Sequence, residues 1–130
     1  MPIRKMAEIK EKKEGELFHL PCGPKPSDRS IPVSLSYLEI PPGGSVKAHT
    51  HDRFEMYIVM TGRAKMMAGG DICEVGPGNV LIAPIGTVHA IKVIGDRPLG
   101  YYALNSPPVA TAPMVLSPAE VQKKFDEARG

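Results

Sequence analysis

At 130 residues the chain has the length of one average domain, enough to bury a core and too short for two ordinary ones. Sixteen Lys and Arg against fourteen Asp and Glu leave a net charge of +2 with no long run of one sign, which argues against a nucleic-acid stripe or a polybasic membrane anchor. No stretch approaches the length of a membrane span, and the Lys- and Glu-rich start lacks the apolar core of a signal peptide, so a cytoplasmic protein acting on small molecules, with no nucleic-acid or membrane partner, is expected.

The first residues carry Ile3, Met6 and Ile9 among charges, a pattern that fits either a short amphipathic turn or an extended arm. Pro21-Cys22-Gly23-Pro24-Lys25-Pro26 reads as a loop, because each proline removes a donor and restricts its predecessor. From Ile31 onward, apolar bursts of four to eight residues alternate with Gly, Pro, Asn or Asp, the spacing of an all-β sandwich or barrel. Strands are expected near Val33 to Ile40, Val46 to His51, Glu55 to Met60, Ala64 to Ala68, Ile72 to Val75, Asn79 to Ala83, Val88 to Ile94 and Leu99 to Leu104. Gly69-Gly70-Asp71 signals a tight hairpin. Ser117-Pro118-Ala119-Glu120 predicts a capped start, with Ser117 as N-cap, for a C-terminal helix that lays Val121 and Phe125 on the outside of the sheet. The whole is expected as one domain: an arm and loop over 1–30, a barrel over 31–106 and a helical extension over 107–130. Cys22 and Cys73, far apart and without CxxC or CxxH spacing, are expected as free thiols.

The chemistry concentrates in two segments. His49-Thr50-His51 places two imidazoles at i and i+2 of a strand, on one face. Glu55 follows after a turn through Asp52-Arg53-Phe54, and His89 opens a later strand just past Pro84-Ile85-Gly86-Thr87. Three imidazoles and a carboxylate form a borderline-to-hard donor set, suited to Mn, Fe, Co, Ni, Cu or Zn and poorly suited to Ca or Mg. A histidine alone on a strand is ordinarily a surface or hydrogen-bonded residue, and His19 takes that reading. By alternation from Glu55, Tyr57 and Val59 face the interior, while Met56, Ile58 and Met60 form an outer apolar row, the expected face of a homodimer.

The spacing Gly43-x5-His49-x1-His51-x3-Glu55-x6-Gly62 matches every fixed position of the first cupin motif, and Gly78-x5-Pro84-x1-Gly86-x2-His89 matches the second. At ordinary residue frequencies the first alone would arise in on the order of one chain in 10^5. The chain therefore resembles the cupin family over about Ser34 to Asn105. That resemblance implies a double-stranded β-helix, or jelly roll, here with a short C-terminal helix, and one divalent transition-metal ion per subunit held by His49, His51, Glu55 and His89. Two positions depart from the family pattern. Val93 stands where Asn is often found, and Asn79 follows Gly78 where Asp is common; neither is a ligand.

Three classes of function share this fold and ligand set. One is Lewis-acid isomerisation, epimerisation, cyclisation or elimination on a small oxygen-rich molecule such as a carboxylate, keto compound or sugar. A second is a redox dioxygenase or decarboxylase, which the lack of a long lid-like insertion makes less favoured for an oxalate-type reaction. The third is non-catalytic binding. Tyr57, Arg53 and Tyr101 are the candidate catalytic residues, and Arg53 and Lys47 are expected at the barrel mouth, where a cationic rim would favour an oxygen anion able to chelate the ion. Glu39 is a further acid near the pocket whose facing the pattern does not decide.

Overall fold

Runs of β-branched and long apolar residues, too short to be buried alone, pair edge to edge and then stack face to face, because each sheet must cover its apolar side. The computed structural model describes residues 5–9, 11–14, 17–23, 32–107 and 114–129. A 3-10 turn at Met6–Glu8 precedes β1 (Lys12–Glu14), β2 (Leu17–Gly23), β3 (Ser34–Ile40), β4 (Ser45–Thr50), β5 (Phe54–Thr61) and β6 (Arg63–Ala68). Then come β7 (Asp71–Val75), β8 (Val80–Ala83), β9 (His89–Ile94), β10 (Leu99–Ser106), β11 (Val115–Leu116) and helix α1 (Ala119–Glu127). The six-stranded sheet runs β1-β2-β3-β10-β5-β8 and the five-stranded sheet β11-β4-β9-β6-β7. The pairings are antiparallel, and the architecture is the expected jelly roll with one short C-terminal helix.

Inward residues of both sheets make the core, including Leu38, Ile40, Val59, Met66, Leu81, Ile91, Leu99 and Tyr101. Each such side chain contributes roughly 1.5–3 kcal/mol by leaving water. Turn chemistry fixes the strand ends that carry the site. Gly62 ends β5 with φ +79°, and a Cβ there would collide with the Pro98 carbonyl, so only glycine serves. Gly86, at φ +78°, turns the chain so that its N–H donates to the His51 carbonyl at 3.0 Å. That bond ties the loop before β9 to the end of β4. Gly69-Gly70 is the expected hairpin, with Ala68 paired to Asp71 across it.

The outer face of the five-stranded sheet is covered by α1, which buries Phe125 against Ala48, Met67 and Ala90, with Val121 packed beside them. Lys65 reaches the carbonyls of Phe125, Asp126 and Ala128, a cation placed where the helix leaves its last acceptors unpaired.

Three expectations need correcting. Pro21, Cys22 and Gly23 are not loop but the end of β2, paired to β3 with a register shift between Pro21 and Gly23. Among the described residues the short β1 pairs with Leu17 to His19 alone, so Pro21 lies where β2 is an edge in the described structure, and the irregularity accommodates its missing donor. Pro24-Lys25-Pro26, Ile3 and Ile31 lie outside the described residues. Ser117 does not cap α1: the N-cap is Pro118, no side chain bonds there, and the Pro118 carbonyl accepts from Val121 and Gln122. Strict alternation also fails on β4, where a register shift between Val46 and His49 makes Lys47-Ala48 a bulge.

Candidate metal centre

The four predicted ligands come together. His49 ends the bulged part of β4, His51 lies just past the strand, Glu55 is the second residue of β5 and His89 the first of β9. His49 and His89 are partners in the β4–β9 ladder, and Glu55 faces them from the other sheet. One ligand atom from each of the four lies within 4.8 Å of every other, and His49, Glu55 and His89 are buried.

Backbone carbonyls set the tautomers. His49 Nδ1 donates to the Lys47 carbonyl at 2.6 Å and His89 Nδ1 to the Thr87 carbonyl at 3.1 Å. A carbonyl only accepts, so in each neutral ring the proton sits on Nδ1 and the Nε2 lone pair points into the site. His49 Nε2 stands 2.9 Å from His51 Nε2. His89 Nε2 stands 2.7 Å from Glu55 Oε2, yet it is buried without a partner in hydrogen-bonding geometry. A bare lone pair facing a carboxylate at that distance is repulsive, so either a proton on Nε2 or a metal cation must stand between them. Donors about 2.1 Å from a shared ion and at right angles stand about 3 Å apart, the size of both separations. The residues present therefore fit a divalent transition metal.

Electrostatics agree with a site kept ready for a cation. Burial lowers the His49 ring to about 4, although the Lys47 carbonyl opposes the shift. His51 is lowered too, by burial first, against the attraction of Glu55. For Glu55 burial pushes upward, but the close His89 ring and the Tyr57 hydroxyl outweigh it and hold the carboxyl at about 2. At neutral pH the site thus holds His49 and His51 as neutral rings beside one carboxylate, Glu55.

Both oxygens of Glu55 are held from outside the ligand set. Arg53 Nε donates to Oε1 at 3.0 Å and the Tyr57 hydroxyl to Oε2 at 2.6 Å. Burial, then the charge of Glu55, pushes the Tyr57 phenol well above its ordinary value, so it stays a donor. Tyr101 is buried with its ring 5.0 Å from that of Tyr57. Arg53 reaches the site as expected at the rim, but its Nε is committed to Glu55. Lys47 is exposed on the bulge and enters the site through its carbonyl. Glu39 faces outward, between inward Leu38 and Ile40, and accepts from Tyr37. His19 bonds Ser36 at 2.9 Å, the expected structural role, and among the described residues neither Cys22 nor Cys73 is in a disulfide, as expected.

Two polar groups at the level of the ligands escape a linear reading. Asn105 is the cross-strand partner of Glu55, and its side-chain oxygen is buried without a partner. Asp71 continues the row His89–Ala68–Asp71 across β9, β6 and β7. The two-residue hairpin at Gly69-Gly70 was the available signal for Asp71, since it fixes Ala68 opposite that acid. Asn105 has no such signal, because its facing follows only from the register of β10.

Residues 36–105 match the family model for the cupin domain. An uncharacterized protein of Streptomyces coelicolor is 32% identical over 81 residues, which cover 62% of this chain and 74% of that protein. Among solved structures, the polyketide cyclase RemF of Streptomyces resistomycificus is similar at TM-score 0.74, with 20% identity over 98% of this chain and 94% of its own. A predicted oxalate decarboxylase of Thermotoga maritima is similar at TM-score 0.71, with 22% identity over 81% of this chain and 98% of its own. KdgF from Halomonas sp. is similar at TM-score 0.68, with 18% identity over 79% of this chain and 92% of its own. Identities this low speak for the fold. The family match does more, since it runs through both motifs and over more than half of the chain, and on it the chain belongs to the cupin domain family.

Proposed function

We propose that this chain holds one divalent transition-metal ion per subunit on His49, His51, Glu55 and His89 and acts there on a small oxygen-rich molecule, as a Lewis-acid isomerase, cyclase or lyase. The observation that supports the reading best is the unpartnered His89 Nε2, held against Glu55 with its proton fixed on the far nitrogen. The bound ion would supply polarisation of a substrate carbonyl or carboxylate oxygen. Arg53 and Tyr57 orient Glu55, Tyr101 supports the Tyr57 ring, and the Asn105 amide is placed to hydrogen-bond the head of a bound molecule. We further propose a cytoplasmic homodimer joined through the outer face of the six-stranded sheet.

Elemental analysis of protein purified without added metal is the first test. About one Zn, Mn, Fe, Co, Ni or Cu per chain is expected, and loss of it in a His51→Ala, His89→Ala double variant. Unchanged metal content in that variant would end the proposal. Turnover that needs dioxygen would move the chain to the redox class, while ligand binding without turnover of any sugar, keto or hydroxy acid would move it to the binders.

A further inference from the structure

The two sheets are not sealed along the side where β7 and β8 lie. Each is the last strand of its sheet, and between them runs a cleft of about 270 Å³. Its walls are apolar, with Met66, Ala68, Val75 and Leu81 from within and Val80 and Ile82 at the lip; Asp71 and the Cys73 thiol are its polar groups.

The register sets one wall of this cleft beside the metal centre. Ala68 is the cross-strand partner of His89, and paired residues share a face. Leu81 is the partner of Tyr57, and Ala83, one step along the same face of β8, is the partner of Glu55. Where the inner faces of β6 and β8 meet the ligand layer, both side chains are therefore single methyls, while Met66 and Leu81, one step deeper, are large. Alanines at those two points put less side chain between cleft and ligands than a leucine would.

We propose that this cleft receives the body of the molecule whose oxygen-rich head binds at the metal centre, so that the ligand is an amphiphile: a chelating hydroxy, keto or carboxyl head joined to an apolar body of about one ring system. The volume sets the size, since it equals that of about nine waters, just under the lower end of about 300 Å³ for drug-sized sites. The lining sets the character, since an apolar wall gains from every carbon it takes out of water, about fourfold in affinity per methylene. This inference rests on the function proposed above and names the kind of substrate that site takes.

Two acids with one head separate the possibilities: lactate, and 3-phenyllactate, which adds a ring. On zinc-loaded protein, calorimetry should find phenyllactate bound at least tenfold more tightly than lactate. Phenyllactate should also slow alkylation of Cys73 by iodoacetamide, read by peptide mass, while lactate should not. Ala68→Leu, which fills the cleft at the His89 end, should bring the ratio of the two affinities to near one. Cys73→Phe should do the same from an exposed position, where folding is not at risk. Equal affinities in the wild type, with Cys73 equally reactive in both acids, would overturn the inference. Protein that takes up no metal, or shows no metal-dependent binding of lactate, would overturn the proposed function and this inference with it. Metal content and the lactate titration tell the two failures apart.

Discussion

A carboxylate ligand is useful to a metal only in the orientation its surroundings impose, and Glu55 has one partner outside the ligand set on each oxygen. Removing an outer partner of a ligand ordinarily costs about 10- to 100-fold in metal affinity. Tyr57→Phe keeps the ring in its place against Tyr101 and deletes only the donor to Oε2, so it should fall in that range while the fold survives. Competition against a chromogenic chelator measures it, and wild-type affinity in Tyr57→Phe would make the hydroxyl a bystander. The rings lead to a second expectation. The folded chain holds His49 at about 4 against an ordinary 6.5, because burial penalises its charged form. Between those values the unfolded chain binds a proton that the folded chain refuses. Stability of the metal-free protein should thus be complete above pH 6.5 and decline as pH falls towards 4. Glu55, held at about 2 against 4.5, adds its own loss only below 4.5. Urea midpoints in EDTA should therefore be lower at pH 5 than at pH 7, and His49→Gln should flatten the difference. Equal midpoints in the wild type would contradict the assignment.

At the scale of elements, what could be read in advance was what depends on near neighbours in sequence. The eight strands from β3 to β10 announce themselves by apolar bursts between glycines and prolines, and the ligands by spacing. The bulge at Lys47-Ala48 does not, because it is decided by partners far along the chain: Ala48 packs against Phe125, and its N–H donates to Gln122 Oε1 at 2.8 Å. β2 is hidden for the same reason, since Pro21 argues locally against a strand and only the pairing with β3 shows where a bond can be spared. The N-cap of α1 was misplaced by one residue, Ser117 for Pro118, although Val121 and Phe125 were assigned to the right face. Helix α1 consequently braces the segment that carries His49. Phe125→Ala should destabilise the fold by about 3–5 kcal/mol, the usual cost for a buried phenylalanine, and it should weaken metal binding as well, although Phe125 touches no ligand. A thermal melt and a metal titration on the same sample would check both, and loss of stability with wild-type metal affinity would separate the helix from the site.

For the whole molecule the outer face of the six-stranded sheet raises the question of what covers it. Ile58 and Met60 of β5 are 36% and 47% exposed, and Val80 and Ile82 of β8 are 47% and 53% exposed. The register sets Ile58 beside Val80 and Met56 beside Ile82, so these side chains form one continuous apolar patch rather than scattered surface residues. Contiguous patches of this kind mark contact surfaces and are a liability on a monomer. The face ends at the free edge of β8, and in a two-fold contact the same patch would meet itself. In the proposed homodimer each partner would bury about 800 Å², the ordinary size of a stable interface. Light scattering at micromolar concentration should return twice the chain mass, and Ile58→Glu, which sets two carboxylates against each other across the two-fold, should return the monomer with metal content unchanged. A monomeric wild type would refute the dimer, whereas a dimer indifferent to Ile58→Glu would leave the assembly and move its interface elsewhere.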